Sequence, residues 1–312
     1  MPNRSKSAAG QSAAKKPGAA RLRVSYQGEA GANSHVASLE VFPDCEPIPC
    51  ATFEDALAAV KSGDATYAMI PIENSVAGRV ADIHHLLPNA GLYVTGEHFL
   101  RVRHQLLAVK GATLATVKKA LSHVQALGQC RQTLRKLGIV PIVEADTAGS
   151  ARMVAEKGDP SISAIATTLA AKVYGLETLM SDIEDEAHNT TRFVILAAEP
   201  DDAEPGNGPC ITTFIFRVRN VPAALYKALG GFATNGVNMT KLESYQQNGA
   251  FTATMFYADI DGHPSDEPVR LALEELSFFS SEVKLLGTYP ASPYRLEVAR
   301  RAAVSGKART GR

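Results

Sequence analysis

From Leu22 onward, short apolar runs of strand type alternate with stretches of helical spacing, and this alternation limits the fold more than any other feature. A chain that keeps switching between the two-residue and the 3.6-residue period lays helices over a sheet, an α/β layer structure. "RLRVSY" reads as a strand, and "GEAGANSHVASLEVF" as a glycine-rich turn entering a helix capped near Asn33 or Ser34. "TFEDALAAVKSG" reads as a helix with Thr52 as N-cap and Gly63 as its stop. "TYAMIPI" is the next strand, and "ENSVAGR" emerges from its end. "GLYVTGEHFLRVRHQLLAVKG" holds enough β-type residues for two strands and suits a crossing between two lobes. A helix is expected over 114–120, and another over "VQALGQCRQTLRKLG", where Leu127, Cys130, Leu134 and Leu137 recur at helical spacing. Strand, helix, strand, helix follow in "IVPIVEA", "DTAGSARMVAEKG", "SISAIA" and "TTLAAKVYG".

"AAEPDDAEPGNGPC" is a linker by composition, rich in Pro, Gly and acid. After it the order is strand, helix, strand, strand, helix, strand, a ferredoxin-like βαββαβ unit that begins near residue 209. A chain of 312 residues with 45% hydrophobic content suffices for two or three such bodies. Lys+Arg and Asp+Glu balance at 32 each, so no overall field favours nucleic acid or an anionic membrane. No apolar run approaches the roughly 18 residues that a membrane span needs. Cys45, Cys50, Cys130 and Cys210 are scattered, without the spacing of a zinc site or a disulfide framework, and a reducing compartment fits them best. The start, "MPNRSKSAAGQSAAKKPGAARLR", carries basic residues and no acid, and reads as a disordered extension; the end of the chain looks similar.

"HNTTRFVIL", residues 188–196, ends as a buried strand yet opens with an imidazole, an amide, hydroxyls and a guanidinium. Burying one hydroxyl or amide without a partner costs roughly 1 to 3 kcal/mol, so these groups face either solvent or something polar. Two further segments place polar residues where a strand ends or a helix begins: "IENS" with Glu73, Asn74 and Ser75, and "LSH" with the helix after it, Ser122 and Gln129. Ligands of open α/β sheets collect at such places, where free backbone N–H groups favour anions. The helix starts at Gly28 to Ser34 and Asp146 to Ser150 point to a carboxylate or phosphate ligand, although "GEAGANS" is no phosphate loop. His84, His85 and His188 have no triad context and read as surface histidines.

"SYQGEAGANSHVA", "IPIENSVAGRV", "LSHVQALGQC" and "NTTRFVIL", in this order and followed by a βαββαβ unit with "NMTKLES", resemble prephenate dehydratase with a C-terminal ACT regulatory domain, over residues 22–290. The resemblance implies a bilobal α/β catalytic domain similar to type 2 periplasmic binding proteins, at 22–200, and an ACT domain at 209–290. An extension at 1–21, a linker at 201–208 and a basic tail at 291–312 complete the expected organisation. It implies conversion of prephenate to phenylpyruvate in cytoplasmic phenylalanine biosynthesis, with no cofactor and no metal, by a homodimer or homotetramer.

The family's TRF threonine maps onto Thr191. Asn74, Ser122 and Gln129 match family site positions, and Glu73 is a second candidate for the proton if burial raises its pKa. Arg192 is a candidate for a substrate carboxylate or for a structural ion pair, and Ser34 and Thr147 are further candidates for substrate binding. Phenylalanine, the implied effector, is expected near Leu225 and Asn238. The ACT match departs from the family at "PAAL" and "ESYQ": Ala223 adds a methyl and Tyr245 replaces a positive charge. A chain ending near residue 205 is expected to keep some turnover and lose the inhibition. Arogenate dehydratase, and a sensor that kept the cleft without catalysis, are the alternative readings.

Overall fold

The structure is a computed structural model that describes residues 21–186, 188–246, 253–298 and 300; most of the expected N-terminal extension and the tail beyond 300 lie outside the described residues. The first lobe contains β1 (Arg23–Gln27), α1 (Asn33–Val41), β2 (Glu46–Cys50), α2 (Phe53–Lys61), β3 (Tyr67–Asn74), β4 (Gly78–Arg79), α3 (Ala81–Leu86) and β5 (Tyr93–Arg101). The chain then crosses into a second lobe of β6 (Gln105–Ala108), β7 (Lys119–Ser122), α4 (Val124–Gln129), α5 (Arg131–Leu137), β8 (Val140–Val143), α6 (Thr147–Lys157), β9 (Ile162–Ala166), α7 (Thr168–Tyr174) and β10 (Glu177–Met180). It returns as β11 (Thr190–Ala197). The sheet of the first lobe has the order β2-β1-β3-β11-β5, with β4 on β3, and that of the second β10-β6-β9-β7-β8. Each sheet thus receives one antiparallel strand next to its third parallel one, β11 in the first and β6 in the second. Two crossings therefore tie the lobes together, and a cleft lies between them.

A third tie spans the lobes beside the cleft. Arg152 of α6 grips Glu29 bidentately at 2.8 and 2.9 Å, and Thr167 donates to the carbonyl of Gly31. A Cβ on Gly31 would come within 2.6 Å of the Ala170 backbone, and its φ of +93° suits glycine as well.

Several expectations differ from the structure. Residues 114–116 form a turn, not a helix, and 119–122 are strand β7. The helix over 124–137 breaks at Cys130. The cap of α1 is Ala32, without a side-chain hydrogen bond. Thr52 does cap α2, in a complete capping box with Asp55. His84 is 1% exposed, not a surface residue, and bonds Tyr245 Oη and the Ile72 carbonyl.

The C-terminal unit has β12 (Cys210–Val218), α8 (Ala224–Thr234), β13 (Met239–Gln246), β14 (Ala253–Asp261), α9 (Glu267–Phe279) and β15 (Ser280–Pro290), with sheet order β13-β14-β12-β15. This is the ferredoxin-like arrangement. Alternation along β12 sorts its side chains: Phe214 and Phe216 pack under α8 and α9, while Ile211 and Ile215 face the first lobe. There they share one apolar core with Tyr245, Tyr257, Ile70, Ile72, Ile83, Val94 and Val194. Gly287 lies so close to the Val94 carbonyl that a Cβ would collide with it. The segment after β15 continues onto the first lobe, with Arg295 paired to Glu97 and Tyr294 stacked on Phe99, so the start of the expected tail is packed.

Candidate active site

The cleft between the lobes encloses about 810 Å³. The turn after β1, the start of α2, the β3–β4 turn and β11 line it from one side, and α4, the start of α6 and His104 from the other. Asn74 is at the centre of a chain of side-chain amides. Its Nδ2 donates to Asn189 Oδ1 at 2.8 Å and to Thr191 Oγ1 at 2.9 Å. Its Oδ1 accepts from Val76 N and Ala77 N and so shapes the turn that follows β3. Asn189 Nδ2 donates across the cleft to Gln129 Oε1 at 2.8 Å, which also bonds His104 Nε2 at 2.8 Å. Burial lowers the His104 pKa, so the ring is neutral and its Nε2–H is the donor.

The pattern leaves specific protons unspent. Thr191 is 9% exposed and its oxygen already accepts from Asn74, so its O–H points its proton to the cleft, with no acceptor among the described residues. With Oε1 of Gln129 taken twice, its Nε2 hydrogens are free to donate inward. Ser34 and Thr147 lie in the first turns of α1 and α6, and both line the cleft. The α1 N-terminus has no side-chain cap, so its first N–H groups open towards the same space. Arg79 is the one lysine or arginine lining the cleft among the described residues. No group of three His, Cys, Asp or Glu able to hold a metal occurs among the described residues.

The structure brings Thr191, Asn74, Gln129, Ser34 and Thr147 together and takes three expected site residues elsewhere. Ser122 is 0% exposed and donates to the Ile165 carbonyl at 2.6 Å, joining neighbouring strands beneath the cleft. Arg192 is 2% exposed and points away from the cleft, with Nε on Glu97 at 2.8 Å and Nη1 on Asp259 at 2.6 Å and Glu73 at 3.0 Å. It is the structural ion pair, not the carboxylate clamp. Glu73 shares that far face with Ile72, because a bulge at Ile72 interrupts the alternation of β3 between Pro71 and Asn74, and it also holds Lys241 at 2.8 Å. Burial alone raises the Glu73 carboxyl, but Lys241 and Arg192 outweigh it and hold the pKa below its ordinary value. An ionised, doubly paired carboxylate is no proton donor, so that expectation does not hold.

The prephenate dehydratase family model matches residues 24–201. The chain belongs to the prephenate dehydratase family. Among the relatives of this prephenate dehydratase family member, the bifunctional N-acyl-homoserine lactone acylase/prephenate dehydratase of Komagataeibacter europaeus is 50% identical, over 87% of this chain and 97% of that protein. The chloroplastic arogenate dehydratase/prephenate dehydratase 2 of Arabidopsis thaliana is 39% identical, over 86% of this chain and 73% of its own length. Among solved structures, prephenate dehydratase from Arthrobacter aurescens in complex with L-Phe is 29% identical with a TM-score of 0.79, covering 92% of this chain and 100% of that one.

Two members of this hydrogen-bonded chain, Asn189 and His104, were not among the expected site residues. Asn189 precedes the TRF motif and carries a visible polar signal; His104 sits between two strands, and nothing around it in the sequence marks it. Leu225 lines a second cavity, of about 570 Å³, together with Val221, Ala223, Leu242, Glu243 and Ser244. Asn238 does not: it lies beyond the other end of α8 and donates to Asp261.

Proposed function

We propose that the chain is a prephenate dehydratase, converting prephenate to phenylpyruvate, water and carbon dioxide. The observation that carries this reading is the Thr191 hydroxyl, whose oxygen is held by Asn74 so that its proton faces the cleft. Prephenate carries two carboxylates and a ring hydroxyl. As the ring C–O bond breaks, the electron pair of the C–C bond to the ring carboxylate moves into the ring, which becomes aromatic as carbon dioxide leaves. The departing oxygen gains negative charge and needs a donor at that moment; Thr191 supplies the hydrogen bond, and the proton that completes water comes ultimately from solvent. The open turn of α1 with Ser34, the Thr147 hydroxyl, Gln129 Nε2 and Arg79 are the groups for the two carboxylates. The neutral hydroxyls and amide suit the ring carboxylate, whose charge drives decarboxylation and is not neutralised by them, and Arg79 suits the side-chain carboxylate.

The C-terminal unit reads as an ACT domain that binds phenylalanine in the cavity between the loop before α8 and β13. Glu243 suits an ammonium group there, and Val221, Leu225 and Leu242 suit a ring. The L-Phe in the Arthrobacter aurescens structure supports the choice of ligand. Tyr226, 81% exposed beside this cavity, supports pairing of two copies through this face. The Komagataeibacter europaeus relative's name supports one second reading, an additional amide-hydrolysing activity. Among the described residues no serine or threonine lining the cleft is hydrogen-bonded to a histidine, which favours the dehydratase reading. Turnover of prephenate, arogenate and an N-acyl-homoserine lactone by the purified chain tests all three; phenylpyruvate from prephenate is the expected product.

A further inference from the structure

Strand alternation gives β3 and β11 two faces with two different duties. Asn74 pairs with Thr191 in the register, and Glu73 with Arg192. The first pair faces the cleft; the second, one residue away on each strand, faces the C-terminal sheet. A register shift follows directly after Arg192, a bulge of the kind that re-aims side chains next to active sites. Arg192 is received there by Asp259 of β14 and by the Tyr289 hydroxyl of β15 at 3.0 Å. Asp259 is fully buried and also accepts from Thr213 at 2.6 Å. Glu73 is received by Lys241 of β13, whose Nζ bonds Glu243 at 3.2 Å. Glu243 in turn lines the C-terminal cavity and lies 3.7 Å from Arg79, which lines the cleft.

A buried ionic cluster is a weak way to hold two domains together, because apolar groups of the same volume do it as well or better. The interface already has such a core. What ions add is a fixed direction and a strict response to a change at either end. The geometry points to a relay in which Lys241 and Asp259 of the C-terminal domain position Asn74 and Thr191 from behind, through Glu73 and Arg192, with Glu243 as its contact to the C-terminal cavity. An ammonium-bearing ligand in that cavity competes with Lys241 and Arg79 for Glu243, and the loss is felt one residue away from the cleft pair. Lys241 and Asp259 are positioning residues: neither lines the cleft or the cavity.

The test compares full-length Lys241→Met and Asp259→Asn with the native chain and with Phe232→Leu, a core change under α8 that leaves the relay alone. Hydrogen exchange is read at 73–76 and 189–193, and kcat, KM and phenylalanine binding are measured on the same samples. Both relay variants should exchange faster at these two segments while α6 stays as in the native chain. Their kcat should fall about 10-fold with KM within about 2-fold, inside the range by which residues between coupled sites alter each other. Lys241→Met should still bind phenylalanine by calorimetry but respond to it far less. Exchange at both segments unchanged from the native chain, or raised equally by Phe232→Leu, overturns the relay. The kinetic arm rests on the dehydratase reading. If the native chain fails to turn over prephenate, that reading falls, while the exchange arm still decides the relay.

Discussion

At the scale of single residues, the site separates into side chains whose hydrogen bonds face the cleft and side chains whose bonds face the frame. Ser122→Ala should cost about 1 to 2 kcal/mol of stability, because the Ile165 carbonyl loses its buried partner, and leave KM for prephenate near its native value. Asn189→Ala should do the reverse, lowering kcat by about 10-fold or more with a small melting shift, since Asn74 and Gln129 lose the amide that spans them. Kinetics and thermal unfolding on both variants check the contrast. His84 gives a pH prediction. Burial, with Lys241 nearby, pushes its pKa down to about 4 from an ordinary value of 6.5, so the folded ring stays neutral where the unfolded one is already protonated. Stability should therefore be full above pH 6.5 and fall as the pH drops from 6.5 towards 4. The loss is on the order of 3 kcal/mol and levels off beneath that window. His84→Gln should flatten much of this slope in denaturant titrations.

Thr191, Asn74, Gln129, Ser34 and Thr147 were legible because motif and residue chemistry coincide. Arg192 and Glu73 were not, because a sequence gives the alternation of a strand but not which face a later domain will cover. His104 depends on a crossing between lobes that only the fold brings to Gln129.

At the scale of elements, most helices and strands announce themselves through capping and period, and the misses have physical causes. β2 carries no strand signal in the sequence because "EPIPC" holds two prolines, which an edge strand paired only to β1 tolerates. β10 is four residues at the opposite edge of the second lobe, too short for a periodic signal. Residues 114–120 look helical in composition, yet Lys119–Ser122 are taken by pairing with β8 and β9. The start of α8 carries a prediction of its own. Ala223 caps it at φ +62°, a left-handed conformation that costs a non-glycine residue about 1 kcal/mol. Ala223→Gly should raise the melting temperature slightly. It also removes a methyl from the cavity wall, and phenylalanine should bind the variant more tightly by calorimetry.

At the scale of the whole molecule, the C-terminal domain is a wall of the first lobe and not a detachable regulator. One core runs from Ile70, Ile83 and Val194 into Ile211, Ile215 and Tyr257. A chain ending near residue 205 would expose that face, so its stability should fall along with any inhibition. Such a chain should express poorly or aggregate, as gel filtration would show. The domain order was legible from the linker and the βαββαβ pattern; the shared core was not, since each β12 residue reads equally well as facing its own helices.

The central claim is that the Thr191 hydroxyl donates to the oxygen leaving the substrate. Its most direct test is the phenylpyruvate formed from prephenate by Thr191→Val, which keeps the shape of the side chain and removes only the donor. The account predicts a kcat at least about 100-fold below the native chain, with melting temperature near native and partial activity in Thr191→Ser. A valine variant that turns over prephenate at the native rate would contradict it.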